Sequence, residues 1–146
     1  MSKLFFRYGA MNSGKSTALL QVAHNYEERG QSVVVVKPAL DTKGHNQIVS
    51  RLGVNRTADI LLAAGKNLRG EVRELRENRA SSQSALACVL IDEAQFLEPA
   101  QVDEALEIAV LDDLPVVAFG IRTDFRRRAF PGSLRLLEIA HSLEEM

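Results

Sequence analysis

Cysteine occurs only once in this chain of 146 residues, as Cys88, which excludes an intrachain disulfide. Zinc sites are built from several cysteine and histidine side chains at short spacings, but His24, His45 and His141 lie far apart along the sequence. We therefore predict that residues 1–146 contain no zinc site.

A strong net charge and a long apolar run are also lacking. The 18 lysines and arginines nearly balance the 19 aspartates and glutamates, so the overall charge predicts neither a stable nucleic-acid partner nor an acidic membrane. No apolar run approaches the roughly 20 residues that span a bilayer, and the first residues lack the cleavage pattern of a secretory signal. We expect one compact domain in the cytoplasm, without a membrane partner.

Short apolar runs alternate with longer amphipathic segments, which is typical of an α/β fold whose mainly parallel central sheet is flanked by helices. Four apolar runs are predicted to be buried strands: 3–8, 32–37, 87–93 and 115–121. Four segments are predicted to be helices: 15–29, 57–65, 68–79 and 101–111. Gly30 is a plausible stop for the first helix, Glu98 and Pro99 suit the start of the last one, and the residues at 81–84 are predicted to form a loop.

The segment GAMNSGKS, from Gly9 to Ser16, matches the phosphate-binding loop pattern and lies between a predicted strand and a predicted helix. The glycines allow successive backbone N–H groups to face phosphate oxygens, and the helix dipole attracts the same anion. Lys15 is expected to reach the β and γ phosphates, and the Ser16 hydroxyl is expected to bind Mg²⁺. A glycine-containing surface turn is the alternative, which the flanking elements disfavour. The predicted ATP-binding residues here are Gly9, Ala10, Met11, Asn12, Ser13, Gly14, Lys15, Ser16 and Thr17.

A second motif, CVLIDEAQF, places Asp92 at the carboxyl end of a predicted strand, where the ligand crevice of an α/β sheet lies. Asp92 is expected to hold Mg²⁺ there, and Glu93 to accept a proton from the group that attacks the γ phosphate. Ala94 and Gln95 are predicted to lie beside the nucleotide as well. A solvated turn is the alternative. A glutamate in this place can activate water in an ATPase or an alcohol in a kinase, and the residues alone do not decide between them.

Five segments stand in this order along the chain: AMNSGKSTALLQ, NYEERG, IVSRLG, DEAQFL and GIRTDFR. In these segments and in their order the chain resembles the thymidine kinases of the zinc-containing, RecA-like kind. The resemblance implies a P-loop fold and a homotetramer. It also implies transfer of the ATP γ-phosphate to the 5′ hydroxyl of thymidine, or deoxyuridine, in nucleotide salvage.

The resemblance also implies roles for single residues. Lys15, Ser16 and Asp92 match the phosphate and Mg²⁺ positions, and Glu93 matches the catalytic base. The matches to the substrate site are Met11, Phe96 and Phe125 around the thymine, Asp41 (with Lys43 in place of the family's arginine) near the phosphates, and Arg51. For Met11 and Phe125 the alternative is ordinary packing, and for Arg51 it is a solvated charge.

The family continues beyond the position of Met146 into a zinc-binding module with a loop that covers the thymine, and this sequence has no counterpart of it. We therefore expect residues 1–146 to form the P-loop ATP-binding and kinase domain alone. Two alternatives to thymidine kinase activity remain: a RecA-like DNA-dependent ATPase, and an ATP-binding core that is inactive without the further segment.

Overall fold

The computed structural model describes residues 1–10, 14–39, 47–49, 55–79, 85–123 and 126–146. Eight strands lie in these ranges: β1 (Leu4–Gly9), β2 (Ser32–Pro38), β3 (Gln47–Val49), β4 (Asn55–Thr57), β5 (Ile60–Leu62), β6 (Leu86–Ile91), β7 (Val116–Ile121) and β8 (Ser142–Glu145). The helices are α1 (Lys15–Glu28), α2 (Leu68–Asn78), α3 (Pro99–Leu111) and α4 (Pro131–Ile139), with a 3₁₀ turn at Ala94–Phe96. None of the helices in these ranges is long and apolar enough to cross a membrane.

Six of the described strands form one sheet in the order β5-β2-β6-β7-β1-β8, while β3 and β4 form a separate hairpin. Every neighbouring pair in the six-stranded sheet is parallel. The sheet is flanked by helices, which confirms the predicted α/β fold. Because β7 lies between β1 and β6, it also separates the two strands that carry the predicted motifs.

Helices cover both faces of the sheet, and alternate residues of each strand contribute to the two layers. On one face α2, α3 and α4 pack over residues such as Phe6, Val34 and Ile91. On the other face α1 and the β3–β4 hairpin pack over residues such as Val35 and Phe119. Burial on both faces explains why the central strands are apolar without alternation.

The predicted helix at 57–65 is wrong, because the structure places strand β5 there. Ile60 and Leu62 are buried whereas Leu61 between them is exposed, which is the period of a strand. Pairing with β2 satisfies one side of this edge strand, and Gly65, with φ of +77°, follows in a turn. The hairpin, α4 and β8 had no counterpart in the sequence analysis, and the predicted loop at 81–84 lies outside the described residues.

The start of α3 holds the loop between β5 and α2. Helix α3 begins at Pro99, two residues before the predicted start at Gln101, and Glu98 and Gln101 form a reciprocal capping box. The Gln101 amide nitrogen also donates to the carbonyl oxygens of Ala63 and Lys66, each at 3.1 Å. Gln101 is only 3 % exposed, so water is a poor substitute for these hydrogen bonds.

We expect Gln101→Met to lower the free energy of unfolding by about 2 kcal/mol, because buried backbone groups lose their partners while side-chain volume is conserved. Urea denaturation measures the change. The control is Gln21→Met on the exposed side of α1, which should change stability by less than about 0.5 kcal/mol. Equal effects of the two substitutions would contradict the role of Gln101.

Candidate nucleotide site

The first predicted motif occupies the junction between β1 and α1. Gly9 ends β1, and Gly14 precedes Lys15, the first residue of α1, with φ of +85°. This left-handed conformation suits glycine and strains other residues. The Lys15 ammonium donates to the carbonyl oxygen of Ala10 at 3.0 Å, so the lysine side chain folds back along the loop. The strand and the helix that flank a phosphate-binding loop are thus present.

Other predicted site residues differ in whether the structure describes them. Ser16 and Thr17 lie half-buried in the first turn of α1, where backbone N–H groups are unpaired within a helix. The others lie outside the described residues and stay predictions: Met11, Asn12, Ser13, Asp41, Lys43, Arg51 and Phe125.

The second motif follows β6 directly. Asp92 is 4 % exposed, and its backbone N–H donates to the carbonyl oxygen of Val36 at 2.9 Å. Glu93 is half-buried and has φ of +53°, in the left-handed region that costs a non-glycine residue about 1–3 kcal/mol. Strain of this kind is concentrated at functional sites.

Burial, together with the negative charge of Glu93, raises the pKa of Asp92 from 3.8 to about 6. A hydrogen bond from the Glu93 backbone and the positive charges of Lys37 and Lys15 act in the opposite direction. A buried carboxylate with this raised pKa gains most from a bound cation. The carboxylate of Asp92 and the hydroxyl of Ser16 are oxygen donors of the kind Mg²⁺ binds, with phosphates and water completing the shell. These residues therefore fit Mg²⁺.

The raised pKa predicts that the metal-free protein loses stability as the pH rises from about 4 to about 6. In that interval the folded state keeps a proton on Asp92 that the unfolded chain has released, and stability falls when the unfolded state binds fewer protons. The shift from 3.8 to about 6 corresponds to about 3 kcal/mol.

Urea denaturation at pH 4 and pH 7, with the wild type beside Asp92→Asn, measures this contribution. Subtracting the two profiles removes the titration of the other carboxyl groups, such as Asp112, whose pKa the Arg69 guanidinium lowers. We expect Asp92→Asn to gain stability relative to the wild type at pH 7 and not at pH 4. Parallel profiles would contradict the prediction.

The 3₁₀ turn after Glu93 is packed tightly against the end of β7. Ala94 and Gln95 are buried, and Gln95 is only 1 % exposed. Its amide nitrogen donates to Glu93 Oε2 at 2.7 Å, and its amide oxygen accepts from the Ile121 N–H at 3.2 Å. A Cβ on Gly120 would lie 2.8 Å from that same oxygen. The sequence had placed Gln95 beside the nucleotide, with no signal for these internal contacts.

Phe96, three residues after Glu93 in the sequence, offers an aromatic surface. Its side chain is 39 % exposed, and its ring meets Phe130 edge to face with centroids 5.5 Å apart. Phe130 directly precedes α4, so the two rings join the turn to that helix. An exposed aromatic face of this kind can stack a flat base.

The sheet brings both motifs to one edge. Gly9 is in register with Ile121, so β1 and β7 end at the same level, and β6 ends three residues earlier on the same side of the sheet, with Ile91 opposite Ala118. Lys37, near the end of the adjacent β2, adds a positive charge that acts on Asp92. No role for Lys37 was predicted from the sequence. The feature that could have pointed to it is a charged residue at the end of an uninterrupted apolar run.

Comparison with known proteins identifies the family. The thymidine kinase family profile matches residues 2–146. Thymidine kinases of Idiomarina loihiensis and Rhizobium meliloti are 50 % and 45 % identical over the full length of this chain, which spans 73 % of each relative. The thymidine kinase of Enterobacteria phage T4 is 43 % identical, again over the whole chain and 73 % of the relative. The chain belongs to the thymidine kinase family.

Proposed function

We propose that this chain transfers the γ-phosphate of ATP to the 5′ hydroxyl of thymidine, or deoxyuridine, in nucleotide salvage. The observation that carries the proposal is the convergence of Lys15, at the start of α1, and the Asp92–Glu93 pair at one edge of a parallel sheet. Family membership supplies the nucleoside as the acceptor.

The proposed roles follow from the chemistry of each group. Lys15 and the N–H groups at the start of α1 bind and neutralise the phosphates. Ser16 and Asp92 would hold Mg²⁺, which neutralises charge that develops on the transferred phosphoryl group. Glu93, two residues after the end of β6, accepts the proton of the attacking 5′ hydroxyl.

The substrate side of the site combines described and undescribed residues. Phe96 supports the base, and its partly exposed ring is the described part of the proposed thymine wall. In our proposal Met11 and Phe125 complete that wall, and Asp41, near the phosphates, and Arg51 are further substrate-binding residues. Apolar walls suit the thymine ring and its methyl group.

The proposal extends to the setting of the reaction. ATP acts with Mg²⁺, and we propose no zinc site within residues 1–146. The family resemblance supports a homotetramer. The balanced charge of the sequence supports the absence of a stable nucleic-acid partner, and we propose that the protein acts in the cytoplasm.

Phosphate transfer from γ-labelled ATP tests the function. Labelled thymidine monophosphate and free phosphate are followed together, with Mg²⁺, in the presence and absence of thymidine. The wild type is compared with Lys15→Met, expected to lower transfer roughly a hundredfold. The matched control is Lys66→Met, since Lys66 is an exposed residue in the turn before α2.

Three results would contradict the proposal. Free phosphate whose release is stimulated by DNA would indicate the DNA-dependent ATPase. ATP binding without either product would indicate a nucleotide-binding core that has no chemistry of its own. Equal rates of phosphate transfer by the two lysine variants would show that Lys15 does not take part in the reaction.

A further inference from the structure

We propose that Gln95 is a positioning residue: its side-chain amide fixes the carboxylate of Glu93 and joins it to the end of β7. The inference rests on the proposed function, because it gives Gln95 a role toward the proposed base. The sequence-based expectation that Gln95 lies beside the nucleotide stays a prediction.

The two hydrogen bonds of the amide determine its orientation. The Ile121 backbone N–H is a donor and requires the amide oxygen of Gln95, which lies 3.2 Å away. The amide NH₂ is thereby turned toward Glu93, and its nitrogen lies 2.7 Å from Oε2. A carboxylate accepts but does not donate, so the opposite orientation would leave both contacts unfavourable.

Close packing around Gln95 restricts its side-chain amide to this position. The residue is 1 % exposed, and Gly120 of β7 approaches it so closely that a Cβ would lie 2.8 Å from its amide oxygen and 3.0 Å from its backbone nitrogen. A side chain at position 120 would displace the amide. The close approach of β7 therefore depends on glycine at this position.

The contact has a mechanical consequence for Glu93. A half-buried glutamate side chain has several rotamers, and a buried donor at 2.7 Å from one oxygen selects among them. Because Ile121 is in register with Gly9 of β1, the amide also links the base to the strand that leads into the phosphate-binding loop. Misplacement of a catalytic group by about 1 Å can cost a factor of about 100 in rate.

Gln95→Glu is the most informative substitution. The new carboxylate keeps an oxygen for the Ile121 N–H but turns a second one toward Glu93, so that attraction becomes repulsion between like charges. We expect kcat to fall roughly 10- to 100-fold, while KM for ATP and for thymidine changes less than about twofold. Gln95→Met, which removes both hydrogen bonds, should likewise lower kcat.

A double-mutant cycle separates positioning from a general structural effect. In a Glu93→Gln background the glutamine at 93 can donate to a glutamate at 95, and no base remains to be positioned. Adding Gln95→Glu to Glu93→Gln should therefore change the residual rate less than about twofold. The same loss in both backgrounds would overturn the proposal, and so would a KM for ATP that rises tenfold with kcat unchanged.

A second readout does not need turnover, and so separates this inference from the proposed function. Hydrogen exchange of the Gln95 side-chain amide, followed by ¹⁵N NMR, should be slow in the wild type and accelerate in Glu93→Ala. The exposed amide of Gln21 in α1 provides the fast-exchange reference. Exchange at Gln95 as fast as at Gln21 would overturn the proposal even in a chain that phosphorylates thymidine, whereas slow exchange in a chain without transfer would leave only the proposed function refuted.

Discussion

Replacing Glu93 with glutamine should lower kcat about a thousandfold, the effect of removing a general base from phosphoryl transfer to an alcohol. The fold should persist, because a glutamine can present its own amide oxygen to the Gln95 NH₂ that now contacts Glu93 Oε2. The charge that raises the pKa of Asp92 is also removed. We therefore expect a midpoint of thermal unfolding equal to or above that of the wild type.

Steady-state transfer to thymidine, ATP binding by calorimetry and thermal unfolding measure the three parts of this prediction. The matched control is Glu77→Gln, an exposed glutamate of α2, which should leave all three unchanged. A Glu93→Gln protein that is as active as Glu77→Gln would exclude Glu93 as the base. One that binds no ATP would show that the substitution damages the nucleotide site instead.

Gly132→Ala should lower the free energy of unfolding by about 4 kcal/mol, above the usual cost of overpacking. Gly132 lies in the first turn of α4, and an added Cβ would lie 2.6 Å from the carbonyl oxygens of both Ala94 and Leu97. Both neighbours are backbone atoms, so the helix must move away from the turn that follows Glu93. We expect kcat to fall together with stability.

Urea denaturation and steady-state kinetics report the two effects of Gly132→Ala. Gly70→Ala in α2 is the matched control, since its Cβ would meet Asn67 Oδ1 at 3.4 Å, an ordinary contact. Alanine is the better helix former by about 1 kcal/mol, so this control should keep or gain stability. Similar losses in both variants would show that the packing of α4 against the turn is not what matters.

The sequence predicted the central strands and not the edges of the sheet. A run such as the one from Val33 to Val36 is buried on both faces of the sheet, and its uninterrupted β-branched residues predict such a strand. β5 has three residues, and its Ile60-Leu61-Leu62 run suits a helix equally well when read alone. β8 contains Ser142, Leu143 and two glutamates, a composition tolerated because β8 is an edge strand.

In the site, too, features that depend on neighbouring residues were predicted from the sequence, and contacts between distant residues were not. The pattern around Gly14 and Lys15 is contained in a few consecutive residues, so the sequence predicted the strand and the helix there. The orientation of Gln95 depends on Ile121, which is 26 positions away and is brought near by sheet order alone. When the order of the strands is unknown, the side-chain amide of Gln95 cannot be told apart from any other polar group near a nucleotide.

The sheet order also affects how the protein is made. β1 pairs with β7 and β8, and Leu4 is in register with Val116, so its partners leave the ribosome more than a hundred residues after it. At usual rates of translation this delay lasts roughly 5 to 20 seconds. Throughout that time the apolar face of β1, with Leu4 and Phe6, has no sheet to join and is a ready target for chaperones. A nascent chain therefore acquires its nucleotide site only after β7 has emerged.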